Sequence, residues 1–374
     1  MSKRTRKAAD GKSLVVTARD NVYVGLDVHK VTIHAAVRVN GCLTDTWVMP
    51  ANAGSVIKTL EPFQAGLSQV VYEAGPTGFG LARALRRRGF PIDVIAPGKT
   101  PRPANPGSKS DRLDCRRLAQ FAEKGLLKVV AIPTETEDQD RQVLRLRAQV
   151  VKKVRRVKQQ IKSLLLYNAI AEPEGLKNWT LASVGALREM ELPGGIRLFL
   201  EELLGELDHL RNKLRRVERA IALLARQERY RDLEVHLRTH PGVGQITAMT
   251  FLTEVYQPGR FVEPEELSCY VGLAPRVSQS GERRREGALI KAGRGTLRAL
   301  LVEASWQWVG KDDFARAHYR RLTRNTGNSQ KAIVGMARRM AVNLWCMAVR
   351  GEDYCLDYRR TTRGSRRSVS LAGG

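Results

Sequence analysis

The first regular pattern along the chain is an alternation of hydrophobic and polar residues that begins at Asn21. The apolar positions recur at every second residue: Val22, Val24, Leu26 and Val28. This period of two is typical of a β-strand, and it places Asp27 on the face opposite the apolar residues. Two more strands are predicted over 31–39 and 42–49, joined by a tight Asn-Gly turn at 40–41. Three antiparallel strands are therefore expected.

Strands and helices alternate after these three strands. The expected order is a helix over 53–66, a strand over 69–72, a helix over 79–88, a strand over 92–95 and a helix over 111–125. This order is typical of an α/β layer in which parallel strands extend the sheet. The segment 97–108 is rich in Pro and Gly and is expected to be a loop.

From residue 138 the apolar residues recur three and four positions apart, which predicts long helices. The clearest series steps 4-3-4-3-4-3 through Leu203, Leu207, Leu210, Leu214, Val217, Ile221 and Leu224. Such a seam is typical of an antiparallel helical hairpin or of a coiled coil between chains. A third, mainly helical block begins at His240. There a Gly-rich turn over 241–244 opens a helix, and this turn either holds a phosphate or simply starts the helix.

These patterns predict the fold class α/β plus α, divided into five segments. The length of 374 residues agrees with this division, since a single core seldom exceeds about 250–300 residues. The expected bounds are 1–20 for a basic disordered tail, 21–134 for an α/β catalytic domain, 135–236 for a helical coiled-coil region, 237–350 for a helical C-terminal domain and 351–374 for a second basic tail.

The charge of the chain is strongly unbalanced. It has 64 Lys and Arg against 38 Asp and Glu, which gives a formal net charge of +26. Such an excess predicts a polyanionic partner, with nucleic acid as the first candidate and an anionic membrane surface as the second. Nine Lys or Arg and no acid lie from residue 141 to residue 162. Arg155, Arg156 and Lys158 are therefore expected to contact nucleic acid, although a solvated helix face would also explain the run.

Other features of the sequence narrow the class of protein. No run of about 18 apolar residues is present, so a membrane-spanning helix is not expected. The basic N-terminus lacks the apolar stretch of a secretory signal. The five Cys are scattered and show no CxxC spacing, which argues against a disulfide framework and a Cys-type zinc site. A reducing cytoplasm is the expected location.

Four carboxylates stand out by their positions: Asp27, Glu73, Asp111 and Asp114. The first lies within a strand, the second ends a strand, and the last two lie one turn apart near the start of a helix. Each could be structural when taken alone, since acids in the first turn of a helix favour its dipole. An RNase H-like fold, however, would bring all four to one edge of the sheet. Four carboxylates so close need cations between them, and oxygen ligands favour Mg²⁺ or Mn²⁺.

Several longer motifs resemble a known family. YVGLDVHK, VVYEAGPTGFGLARAL and SKSDRLDCRRLAQ occur in the order seen in the N-terminal domain of the DEDD-type insertion-sequence transposases, which are RuvC-like proteins also called bridge recombinases. PGVGQITAMTFLTEV, YVGLAPRVSQSGERRREGALIKAGRGTLRALLVEA and KAIVGMARRMAVNLW resemble the C-terminal domain of the same family. The resemblance covers about residues 21–350 and implies a RuvC/RNase H-like mixed sheet in the first domain.

The resemblance also implies a mechanism. The four carboxylates would bind Mg²⁺, and a C-terminal serine would attack DNA to form a phosphoserine link. By motif position this serine is Ser280, although the family's paired serines and second glycine are missing here and Ser278 is a second candidate. The basic residues beside it would stabilise the charge of the transition state or only contact the DNA backbone: Arg283, Arg284, Arg285 and Lys291.

Members of this family are guided by a non-coding RNA that pairs with target and donor DNA. The resemblance therefore implies a guide RNA as a partner beside double-stranded DNA, and a dimer or tetramer whose active site combines the acids of one subunit with the serine of another. A bacterial or archaeal cytoplasm, close to the nucleoid, is the implied location.

Two other functions remain open at this point. A metal-dependent junction endonuclease would use the four carboxylates and water, without a covalent intermediate. A scaffold that only binds RNA or DNA would carry the acids as structural residues. The three hypotheses differ in whether a covalent adduct forms and in whether cleavage depends on Mg²⁺.

Overall fold

The structure is a computed structural model that describes residues 16–97, 111–280, 283–290, 293 and 295–355. It divides into two compact units, Met1–Thr134 and Glu135–Gly374. Most of the two predicted tails, nearly all of the predicted loop over 97–108 and Lys291 lie outside the described residues.

The first unit is built on a mixed six-stranded sheet. Its strands are β1 (Val22–Val28), β2 (Thr32–Val39), β3 (Cys42–Pro50), β4 (Leu67–Glu73), β5 (Ile92–Ile95) and β6 (Val129–Val130). The order across the sheet is β3-β2-β1-β4-β5-β6. The first three strands are antiparallel, β1, β4 and β5 run parallel, and β6 is antiparallel to β5. The α/β prediction with parallel strands added to a meander is confirmed, whereas the two-residue β6 is too short to leave a pattern in the sequence.

The described residues of this unit also form three α-helices: α1 (Ala53–Leu60), α2 (Gly80–Arg86) and α3 (Asp111–Glu123). One face of the sheet forms the main core of the unit, with Leu26, Tyr72 and Val94 fully buried in it. The other face is covered by α3, whose Leu118 and Ala122 pack against Val71 of β4. The alternation of the strands therefore determines which residues face α3.

The second unit begins with two long helices, α4 (Glu135–Tyr167) and α6 (Gly194–Ala225), with the short α5 (Leu181–Glu189) between them. Arg147 near the start of α4 donates to Glu218 near the end of α6, so the two helices run antiparallel. Their shared apolar seam contains the predicted positions Leu203, Leu207 and Leu210. Of the two interpretations of the heptad pattern, the hairpin within one chain is the one found here.

The rest of the second unit is mainly helical. Its helices are α7 (Glu228–Arg238), α8 (Gln245–Val255), α9 (Pro264–Val271), α10 (Gly295–Lys311), α11 (Asp313–Thr326) and α12 (Ser329–Arg350). Among the described residues α12 is long and apolar enough to cross a membrane, which the sequence did not lead us to expect. Two thirds of its apolar window is buried inside the protein, as in the core helix of a globular domain.

A two-stranded ribbon interrupts this helical block. Its strands are β7 (Pro275–Ser280) and β8 (Arg283–Leu289), and they pair antiparallel. The sequence predicted a mainly helical block here and no strands. In the structure Ser280 is instead the last residue of β7, immediately before the connection between the strands.

Candidate active site

Asp27 lies near the end of β1, on the face of the sheet that α3 covers. Its register partner on β2 is His34. The carboxylate is partly buried, and its Oδ2 lies 3.1 Å from Nε2 of His29. The rings of His29 and His34 are themselves in edge contact, with centroids 6.1 Å apart. Two histidines therefore flank the first of the four predicted acids.

Glu73 is the last residue of β4, the strand beside β1. The register pairs Leu26 with Tyr72, so Asp27 and Glu73 each follow a paired residue on neighbouring parallel strands. Neighbouring strands lie about 4.8 Å apart, and residues of equal parity in register share a face. Asp27 and Glu73 are thus adjacent positions at the carboxyl end of the parallel strands, where α/β sheets commonly place their ligands.

Asp111 and Asp114 are brought to the same edge by α3. This helix starts at Asp111, and the backbone of Cys115 approaches Gly25 so closely that a Cβ on Gly25 would lie 2.1 Å from the carbonyl oxygen of Cys115. Gly25 is two residues before Asp27 and therefore on the same face. The start of α3 lies over the end of β1 for this reason. The side chain of Asp111 is outside the described residues.

The pKa of the Cys115 thiol reflects the same arrangement. Burial raises the pKa of the Cys115 thiol to about 11, and the negative charge of Asp27 adds to this effect. The Asp27 carboxylate is therefore close enough to the first turns of α3 to act on a thiol next to Asp114. Three of the four predicted acids, Asp27, Glu73 and Asp114, therefore lie on the same face at the same edge of the sheet.

The donor atoms suit a divalent cation, but the described side chains do not form a complete coordination site. Carboxylate oxygens are the ligands that Mg²⁺ and Mn²⁺ prefer. Among the side chains that the structure describes, no group of three or more potential ligands is close enough to hold a metal ion. Asp27 instead pairs with His29, and Asp114 lies 3.8 Å from Arg117. Cations that bind here would compete with these two partners.

The serine candidates lie in the second unit, on the β7–β8 ribbon. The register pairs Ser280 with Arg283, Gln279 with Arg284 and Ser278 with Arg285, and these pairings sit next to the connection at 281–282. The side chains of these residues are outside the description, but the backbone register gives each of the three arginines a different partner. Two of them are paired with a serine and the third is not.

The predicted nucleic-acid contacts on α4 differ in their surroundings. Arg155 and Arg156 are exposed on the outer side of the hairpin. Lys158 is half-buried, and its Nζ lies 5.0 Å from the centre of the Trp179 ring. Burial lowers the pKa of Lys158, and the nearby charge of Arg211 lowers it further. Lys158 therefore contributes to the packing of the hairpin, and its ammonium is less available to a phosphate than the two guanidinium groups.

The Gly-rich turn before α8 has a packing explanation. Gly242 has a φ of +88°, and a Cβ there would lie 2.4 Å from the carbonyl oxygen of Ala304 on α10. Next to it, His240 is buried between Trp308 and Tyr354, at centroid distances of 4.7 and 4.3 Å. Close helix packing thus requires glycine at this position, and phosphate binding by the turn stays a prediction.

The sequence analysis missed the two histidines beside Asp27. His29 follows Asp27 by two residues, and the turn between the first two predicted strands already implied a partner for Asp27 near residue 34. The six histidines are scattered along the sequence, and none has the spacing of a metal or nucleophile motif. The position of His34 beside Asp27 could have been predicted from the pairing of the first two strands, but not from the spacing of the histidines.

Comparison with known proteins gives the same two parts in the same order. The DEDD transposase model of IS110 elements matches residues 24–168, and the model of the IS116/IS110/IS902 transposase family matches residues 235–320. Together the two models match more than half of the chain. The first contains Asp27, Glu73, Asp111 and Asp114, and the second contains Ser280.

Individual relatives agree with the family models. A putative transposase of Sinorhizobium fredii, y4qE, is 29% identical over 87% of this chain and 88% of its own length. The transposase for insertion sequence element IS1533 of Leptospira borgpetersenii is 28% identical over 76% of this chain and 85% of its own. The transposase for insertion sequence element IS1111A of Coxiella burnetii is 24% identical over 73% of this chain and 75% of its own.

Proposed function

The chain belongs to the DEDD-type transposases of insertion sequences, and from this membership we propose that it cuts and rejoins DNA strands at divalent cations held by Asp27, Glu73, Asp111 and Asp114. The observation that carries the proposal is the position of three of these acids on one face, at one edge of the sheet. The strand order and directions of the sheet support a RuvC/RNase H-like fold for this unit.

Mg²⁺ is the proposed ion, with Mn²⁺ as a substitute, because all four candidate ligands are carboxylates. When bound, such ions neutralise the phosphate and stabilise the attacking and leaving oxygens of a phosphodiester. The task of the four carboxylates is to hold them at the sheet edge.

Ser280 is the proposed nucleophile. A bond forms from its Oγ to phosphorus while the bond from phosphorus to the 3′ oxygen of the DNA breaks. The hydroxyl proton is lost and the departing 3′ oxygen gains one, so one phosphodiester replaces another and rejoining needs no external energy source. The backbone register that pairs Ser280 with Arg283 supports a role for Arg283 in stabilising charge on the phosphate. Ser278, paired with Arg285, is the second candidate.

We also propose an RNA guide and an oligomer, with acids and serine supplied by different subunits. The exposed Arg155 and Arg156 suit a structured RNA whose shape and backbone are recognised. The end of the long hairpin has a different character. Its exposed apolar residues are Leu166, Tyr167, Leu181, Leu198 and Phe199. Acids outnumber bases around them, eight to three from residue 166 to residue 208, which favours a protein partner over nucleic acid.

The decisive experiment looks for a covalent adduct. Purified protein is incubated with labelled DNA carrying the ends of its element, with the flanking transcript and Mg²⁺, and is run on a denaturing gel. The wild-type protein is expected to form an adduct, and Ser280→Ala and Asp27→Asn are each expected to form none while still binding DNA. The matched control Ser278→Ala should keep the adduct. Cleavage by Ser280→Ala without any adduct would favour a metal-only nuclease and contradict the proposal.

A further inference from the structure

One surface of the second unit has no role in the function proposed so far. Helix α10 buries one side, with Leu301, Ser305 and Trp308 in the core. Its other side lines an open groove of about 460 Å³, together with residues of β8 and α12. A helix that is apolar on two sides is normally enclosed by the protein, so the uncovered side indicates a binding surface.

An exposed tryptophan marks this groove. Ala299, Val302, Glu303 and Trp306 follow each other at helical spacing along α10 and all line it. The side chain of Trp306 is 43% exposed, although tryptophan is among the most costly residues to leave in water. Its ring is held by an edge contact with Tyr319 of α11, at a centroid distance of 5.5 Å. The indole is therefore held in position and is partly accessible to a ligand.

One cation and one acid line the groove itself, Arg298 and Glu303, and the exposed arginines of α11, the helix whose Tyr319 contacts Trp306, favour an anionic ligand. From residue 313 to residue 350 the chain carries eight Lys or Arg and a single acid, Asp313. Arg320 directly follows Tyr319 in α11, Arg324 lies about one helical turn further along, and both are exposed. A fixed aromatic ring beside arginines is the combination that binds single-stranded nucleic acid, because a base stacks on the ring while its phosphates contact the cations.

The position of the groove favours DNA over RNA as this ligand. Leu289, the last residue of β8, lines the groove, and the proposed nucleophile lies beside the other end of the same strand. Six residue steps along β8 span about 20 Å, which corresponds to about six nucleotides of a stacked strand. A DNA strand attached to Ser280 could therefore reach the groove along the ribbon.

We infer that the groove around Trp306 binds an unpaired base of the DNA strand attached to Ser280, and that the exposed Arg320 and Arg324 of α11 contact its phosphates. This inference rests on the proposed function for the source of the strand, but the binding itself can be measured without catalysis. It adds a single-strand subsite to a protein whose other predicted contacts are made by α4 and by the β7–β8 ribbon.

The test measures the binding of fluorescent single-stranded oligo(dT) by anisotropy, with EDTA present so that no cleavage occurs. Trp306→Ala should weaken binding about 5- to 150-fold, the usual effect of losing one stacked base, and Trp306→Phe should restore most of it. Val262→Ala, which trims another highly exposed apolar side chain of this unit, serves as the control and should have no effect. The double variant Arg320→Ala/Arg324→Ala should reduce the slope of log Kd against log salt by about 1.4.

Three results would overturn the inference. In the first, Trp306→Ala binds oligo(dT) as tightly as the wild type does. In the second, Trp306→Ala weakens the binding of an abasic strand of equal length by the same factor as the binding of oligo(dT), which would exclude stacking. An effect on oligo(U) but not on oligo(dT) would assign the groove to RNA. Because catalysis plays no part, each result is independent of whether the Ser280 adduct forms. Near-ultraviolet circular dichroism of the variants verifies that the core around Trp308 is intact.

Discussion

Gly25 and Cys115 are in direct backbone contact, and this contact places α3 over β1, the strand that carries Asp27. A Cβ on Gly25 would lie 2.1 Å from the carbonyl oxygen of Cys115 and 2.6 Å from the backbone nitrogen of Ala119. Both neighbours are backbone atoms of a helix, so neither can rotate away. Glycine inside a strand commonly marks such an approach. Here the approach positions Asp114, one residue before Cys115, relative to Asp27, two residues after Gly25.

The first prediction is that Gly25→Ala separates α3 from the sheet. Overpacking at a rigid site costs about 1–3 kcal/mol, and a clash with backbone on both sides should be at the upper end. We expect the free energy of unfolding of the first unit to fall by about that amount and strand transfer to be lost, because Asp114 moves away from Asp27. Gly80→Ala is the matched control, since an added Cβ there meets nothing within 4 Å. Equal stability and activity of the two variants would refute this prediction.

The second prediction concerns the thiol in this contact. Burial and the charge of Asp27 hold the pKa of Cys115 at about 11, so at pH 8 the thiol stays protonated and is shielded. Iodoacetamide at pH 8 should modify the exposed Cys42 and Cys355 within minutes and leave Cys115 unmodified, as judged by mass spectrometry of peptides. In denaturant Cys115 should react like the others. Rapid labelling of native Cys115 would show that α3 opens readily from the sheet.

The strands that carry the acids could be predicted because they follow simple rules. The alternation from Val22 to Val28 and the Asn-Gly turn defined the first hairpin, and the placement of Glu73 at a strand end followed from the short apolar run before it. The close packing of α3 was not foreseen. Its only sequence signal is a glycine among larger residues, which also occurs where a strand bulges.

The ribbon that carries Ser280 could not be predicted in the same way. Its two strands are polar on both sides, and β8 begins with three arginines, so no alternation indicates a buried face. The exposed side of α10 could not be predicted either, because its residues are apolar. Val302 and Trp306 look like core residues in the sequence, and only the packing of the neighbouring helices shows that they line a groove.

The third prediction is a loss of stability in acid that depends on His240. Burial lowers the pKa of this histidine to about 4, so below its ordinary value of 6.5 the unfolded chain takes up a proton that the folded chain does not. The contribution of neutral His240 to the free energy of unfolding is therefore fully present above pH 6.5 and is lost as the pH falls towards 4. At pH 4 the free energy of unfolding should be lower by about 3 kcal/mol. Denaturant unfolding followed between pH 7 and pH 4 should show this decline.

A matched pair of variants assigns that decline to one residue. His240→Gln should be less stable than the wild type at pH 7, because the contacts with Pro241 and Asn343 are disturbed, but its stability should depend less on pH. His209→Gln removes an exposed histidine of α6 and should leave the pH dependence unchanged. An unchanged slope in His240→Gln would assign the acid sensitivity to other groups, among them His318, whose pKa is also lowered to about 4 by burial and by Arg339.

The fourth prediction separates arginines that are adjacent in the sequence. Arg283 is the register partner of Ser280, whereas Arg284 is the partner of Gln279. Paired residues of an antiparallel ribbon share a face, and successive residues alternate between faces. A cation on the face of the nucleophile can stabilise charge that develops on the phosphate, and the loss of such a group typically costs about 100- to 1,000-fold in rate.

Arg283→Ala should therefore slow formation of the Ser280 adduct by about that factor in single-turnover assays, and Arg284→Ala should slow it less than about tenfold. DNA affinity, measured in the same buffer, should change similarly in both variants, since each removes one cation. Equal rate losses would mean that the register does not decide which arginine acts on the phosphate.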